Sequence, residues 1–159
     1  MKTLLRTLAL VFAATCALPA VAQGPAPKDC PWSYLPTRVE LNAGMHLIQA
    51  EVAANGPDRA KGLMCRTAMA PNAGMLFVFR EIEPHCMWMR NTLIPLSVAF
   101  VDEQGTIVSI HEMQPLTEVS HCAARPARFA LEMNTGWFEK RGLKPGAKLG
   151  GLEKAPPPR

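Results

Sequence analysis

The run from Met45 to Ala53, MHLIQAEVA, alternates: Leu47, Gln49 and Glu51 fall on one side and Ile48, Ala50 and Val52 on the other. A two-residue period belongs to a strand with unlike faces. It argues against a helical bundle and asks for a sheet. Arg38 to Leu41 is a shorter strand before it, and Asn42-Ala43-Gly44 suits the turn between them, since Gly44 can take positive φ. Met75 to Phe79 is an apolar run of buried-strand length, and residues 85–89, HCMWM, form another candidate strand. Leu96 to Val101 and Thr106 to Glu112 make the clearest hairpin, joined by Asp102-Glu103-Gln104-Gly105 as a type I turn with a bulge at the glycine. Arg128 to Met133 is the last main strand. Gln114 to Pro126 is polar and reads as a long loop, a common place for function.

Two short helices are expected between these strands. Asp58 can cap one from Arg59 to about Cys65, which would put Arg59 and Arg66 near one face. Asn134 or Thr135 can start another that runs from Thr135 to Arg141 and stops at Gly142. The expected fold is therefore α+β and mainly β: a curved, barrel-like antiparallel sheet with two short helices.

The chain begins with a basic, then apolar, then small-residue pattern. Lys2 and Arg6 precede the apolar stretch from Leu8 to Leu18, and Ala20-Val21-Ala22 offers a cleavage site. This is the form of a secretory signal peptide over 1–22, too short to span a bilayer, and it implies a periplasmic or secreted protein. An extended lead over 23–37, a domain over 38–149 and a disordered tail over 150–159 follow from proline content and patterning. Of five cysteines, cleavage removes Cys16 and leaves Cys30, Cys65, Cys86 and Cys122. Four allow three pairings. The expectation carried forward is Cys86–Cys122, tying a strand to the polar loop, with Cys30–Cys65, tying the lead to the first helix. Cleavage also takes Lys2 and Arg6 from the 17 Lys+Arg, leaving 15 against 13 Asp+Glu. No basic block stands out, which disfavours nucleic acid as a partner, and the mature chain carries no membrane span.

Three blocks carry a resemblance. RAKGLMCRTAMAPNAGMLFVF (59–79), MWMRNTLIPLSVAFVDEQGTIV (87–108) and ALEMNTGWFEKRGLKPGAKL (130–149) occur in this order. Together they resemble the DUF192 family over about residues 38–149. The resemblance implies a compact β-rich domain, often exported in bacteria, and no established activity. No catalytic residue is carried over from it. Cys65, Cys86 and the histidines add chemistry that its core motif does not require.

Three kinds of chemistry compete for the notable residues. On a strand, His85, Met87 and Met89 share one face, and their imidazole and thioether groups suit Cu(I). Side chains on one strand face project in parallel, however, and methionine commonly fills irregular cores. Cys86 could be a nucleophile, but His85 beside it points to the opposite face, and an oxidising compartment favours a disulfide. The third kind is a pocket. Arg59, Arg66, Trp88, Asn91, Thr92 and Glu132 are polar or amphipathic residues within apolar blocks, as a small-ligand site requires. Structural roles compete here too: Arg66 can pair with Glu132, and Asn91 and Thr92 can hold the turn before Pro95. The expected function is thus non-catalytic binding of a small molecule or protein partner, with no cofactor. The alternatives are a copper protein using His85, Met87 and Met89, and an enzyme of unassigned chemistry.

Overall fold

The computed structural model describes residues 35–159. The expected signal peptide, nearly all of the lead and Cys30 lie outside the described residues. The chain runs β1 (Arg38–Ala43), β2 (His46–Ala53), α1 (Gly56–Lys61), β3 (Ala73–Glu83), β4 (Cys86–Met87), β5 (Leu96–Val101), β6 (Ile107–Met113), β7 (His121–Cys122), β8 (Ala127–Asn134) and β9 (Leu149–Gly150). Seven strands form one sheet in the order β6-β5-β8-β3-β2-β1-β9, and β4 pairs with β7 apart from it. The large sheet curls through 227° into a half-barrel.

The curved, mainly antiparallel sheet that was expected is present, with one parallel pair in it. β2 and β3 run parallel, with Gln49 opposite Ala73 and Ala53 opposite Phe77. Parallel neighbours need a long crossover, and the connection through α1 supplies it. The other pairings are antiparallel.

Both faces of the sheet are covered. Leu41, Ile48, Leu76, Ala99, Leu131 and Met133 pack on one side with Trp137, Phe138 and Leu149. Met75, Phe77, Val98, Phe100 and Ala130 pack on the other with Leu63, Met89 and Met113. This explains why β3 shows an apolar run rather than alternation, and why every residue of β5 is buried. The β5–β6 hairpin matches expectation. Asp102 Oδ1 accepts from the backbone N–H of Gln104 at 3.0 Å and of Thr106 at 2.8 Å. Gly105 sits at φ 76°, and the register shifts at Phe100/Val101.

Four local expectations are corrected. Asn55, not Asp58, caps the first helix: its side chain accepts from the Asp58 N–H at 2.8 Å, so the helix begins earlier and stops at Lys61, before Gly62 at φ 49°. The strand over 85–89 shortens to β4, because the Met89 N–H leaves the β4–β7 ladder for Thr117 O at 3.0 Å. The helix over 135–141 is a single 3-10 turn, Glu139–Arg141. Thr135 Oγ1 and the Gly136 N–H are instead tied to Glu112 Oε2, at 2.7 and 3.1 Å. The tail expected to be disordered is laid against the body. Leu149 and Gly150 pair with Ala43 and Asn42, Leu152–Lys154 makes a 3-10 turn, and the Arg159 N–H donates to Ala54 O at 2.7 Å. The free edge of β1 supplies the hydrogen bonds that the tail's composition could not announce.

Candidate functional site

A cavity of about 230 Å³ lies where α1 and the turn after it meet β3, β4 and β8. Four of the six expected residues line it: Arg59, Trp88, Thr92 and Glu132. Each arrives from a different element. Arg59 projects from α1, and its Nη1 donates to the carbonyl of Val78 at 3.1 Å. Trp88 follows β4 and is 44% exposed, with the Arg90 guanidinium 5.6 Å from its ring centroid. Thr92 is buried in the loop before β5. Its N–H donates to Met89 O, and its carbonyl accepts from the Leu116 N–H. Glu132 stands mid-way along β8, opposite Met75 on one side and Val98 on the other.

Glu132 is the unusual member. It is 3% exposed, and its carboxyl makes no hydrogen bond among the described residues. Burial pushes its pKa from 4.5 to about 8, because an ion removed from water without a partner is costly. It is therefore mostly protonated at neutral pH. The Thr92 hydroxyl likewise has no partner among the described residues. Apolar walls complete the cavity: Leu63, Met64, Phe77, Phe79 and Met87. On sequence, Met87 belongs to the copper alternative, Phe77 to a core strand, and Gly62 to the DUF192-like motif rather than to the expected site. That glycine has φ 49°, and a Cβ there would come within 3.3 Å of the Phe77 ring.

Arg66 and Asn91 do not join the cavity. Arg66 makes a bidentate pair with Glu51, Nη1–Oε1 at 2.8 Å and Nη2–Oε2 at 2.6 Å, and both residues are buried. Glu51 Oε2 also accepts from the Leu35 N–H at 2.6 Å. The expected pairing of Arg66 with Glu132 is thus replaced by one with Glu51. The shared face with Arg59 is lost because α1 ends at Lys61. A larger hollow of about 470 Å³ lies beside Arg66 and Glu51, but their opposite charges already satisfy each other. Asn91 is a turn residue at φ 56°, a conformation asparagine tolerates, and its carbonyl accepts from the Cys65 N–H at 2.8 Å.

The sulfur and imidazole groups also separate. Cys86 and Cys122 face each other across β4 and β7 and are joined as a disulfide, leaving no Cys86 thiolate for nucleophilic chemistry. Cys65 is disulfide-bonded as well; its expected partner, Cys30, lies outside the described residues. His85 stacks on Phe79 with ring centroids 3.7 Å apart and holds Glu81 O at 2.9 Å. Met89 is fully buried in the core, while Met87 lines the cavity. The copper reading therefore has no support: the three side chains are engaged in different places. No group of three or more His, Cys, Asp or Glu residues that could hold a metal occurs among the described residues. His111 and His121 lie 5.9 Å apart, and burial first, then the charge of His111, lowers the pKa of His121. No helix among the described residues is long and apolar enough to cross a membrane.

Residues 38–151 match the model of DUF192, described as "Uncharacterized ACR". None of the curated proteins matches the chain. The crystal structure of a proposed transcription regulator from Sinorhizobium meliloti 1021 is 39% identical with a TM-score of 0.66, over 72% of this chain and 92% of that one. The crystal structure of a protein of unknown function from Novosphingobium aromaticivorans DSM 12444 is 33% identical with a TM-score of 0.69, over 84% of this chain and 98% of that one.

Proposed function

The chain belongs to the DUF192 family, and from that premise we propose that it is an exported binding protein whose cavity takes a small ligand without transforming it. One observation carries the reading. Glu132 is buried beside an open cavity with no hydrogen-bond partner among the described residues. Its carboxyl faces the cavity, where a donor on a ligand could reach it. The Thr92 hydroxyl and the Arg59 guanidinium add polar contacts, and Trp88 supplies an aromatic plate at the opening. A few polar groups set among apolar walls is the usual make-up of a small-molecule site. The Cys86–Cys122 bond supports a periplasmic or secreted location. A role in transcription, as named for the Sinorhizobium protein, is not adopted.

The test is a thermal-shift screen of the full chain against a small-molecule library, repeated on Trp88→Ala. A ligand at 100 times its Kd should stabilise the wild type by about 2.7 kcal/mol, and the shift should shrink or vanish in the variant. Shifts of equal size in a folded Trp88→Ala protein would place the ligand elsewhere.

A further inference from the structure

We propose that the ligand of this cavity is a short zwitterion, with a carboxylate held by Arg59, an ammonium held by Glu132, and an apolar chain between them. This rests on the cavity being the binding site. Arg59, Lys61 and Glu132 line one hollow, and no hydrogen bond or ion pair joins Arg59 to Glu132. Arg59 commits one N–H to Val78 O, and its other donors have no partner among the described residues. Glu132 has no hydrogen-bond partner there at all; burial keeps it protonated in the empty cavity, and an ammonium would displace that proton to solvent.

The register keeps the two apart. Arg59 is anchored at Val78, while Glu132 is paired opposite Met75. Three residues of strand separate those levels, roughly 10 Å of backbone. The two side chains thus enter the cavity from different levels, and a molecule with charges at its two ends can meet both.

The surroundings narrow the chemistry further. The cavity wall includes Phe77, Leu63, Met64 and Met87. A sugar would present hydroxyls to these apolar groups and leave them unbonded, at about 1–3 kcal/mol each. A methylene chain loses nothing there. A simple carboxylate satisfies Arg59 but leaves Glu132 unpaired, and a simple amine does the reverse. The ammonium end has a further attraction, since Phe77 lies on the same face and aromatic rings favour cations.

The experiment is titration calorimetry of the full chain with three probes of equal length: 6-aminohexanoate, hexanoate and hexylamine. 6-Aminohexanoate should bind at least about tenfold more tightly than either single-ended probe. Arg59→Gln should bring it down to the level of hexylamine, and Glu132→Gln to the level of hexanoate. Circular dichroism checks that each variant is folded. Equal affinity for all three probes, tighter binding of a single-ended probe, or no binding of any probe would overturn the inference. The broader reading fails differently. If a library compound gives a Trp88-dependent thermal shift while 6-aminohexanoate does not bind, the site stands and the zwitterion is wrong. If 6-aminohexanoate does not bind and no compound gives such a shift, both are wrong.

Discussion

Glu132→Gln should stabilise the protein progressively as pH rises above about 4.5 and change little with pH below it. The carboxyl is fully buried, and its pKa moves from 4.5 to about 8 on folding. Below pH 4.5 both folded and unfolded states carry the proton, so nothing is lost. Between 4.5 and 8 the unfolded state ionises while the folded state does not, so stability falls with rising pH. At 1.36 kcal/mol for each pH unit, the loss is about 3 kcal/mol at pH 7 and about 5 kcal/mol above pH 8. Glutamine keeps the size of the side chain and has no charge to desolvate, so it escapes the loss. Urea unfolding of ligand-free wild type and variant at pH 4, 7 and 9 gives the comparison. Groups common to both proteins cancel in the difference. At pH 9 the variant's melting temperature should exceed that of the wild type by roughly 15 °C. A stability difference that stays flat from pH 5 to pH 9 would refute the reasoning, because it would mean that the carboxyl is not desolvated.

Other substitutions test the frame around the site. Arg66→Met strands the buried Glu51 carboxylate and should cost about 3–5 kcal/mol in urea unfolding; a loss below about 1 kcal/mol would show that the pair is solvated. Gly74→Ala would set a Cβ 2.6 Å from the Glu132 carbonyl oxygen and against Met133 Sδ, so it should destabilise by roughly 3 kcal/mol. Replacing Cys86 and Cys122 together by serine opens a link between residues 36 apart in sequence and should cost about 4 kcal/mol by loop entropy, read from chemical denaturation without reductant. Asn91→Ala forces alanine to φ 56° and should cost about 1 kcal/mol, whereas Asn91→Gly should be nearly neutral.

Strands were legible wherever the chain marks its own turns. Gly44 and Asp102 to Gly105 fix two hairpins locally, and the alternation in 45–53 places β2. The parallel pairing of β2 with β3 was not legible, because it depends on how the long connection through α1 returns to the sheet. The partner of Arg66 was hidden for the same reason: Glu51 and Glu132 are both strand carboxylates, and the strand order decides which one Arg66 reaches. The helix start was missed because Asn55 and Asp58 both suit a cap, and the two in fact bond to each other at 2.7 Å. Arg59, Trp88, Thr92 and Glu132 stood out as polar residues in apolar surroundings, and the fold brings them to one cavity. Asn91 gave the same signal but sits outside the cavity, in a turn at φ 56°. The apolar walls could not be told from core, because a cavity wall and a core contact use the same residue types.

The indole N–H resonance of Trp88 offers the most direct test of the proposed site. It can be followed during titration with any compound that raises the melting temperature. A ligand in the cavity should shift the Trp88 resonance with the dissociation constant measured by calorimetry, while Trp137, buried on the opposite face of the sheet, stays still. A ligand that saturates the protein while the Trp88 resonance does not move would contradict the account.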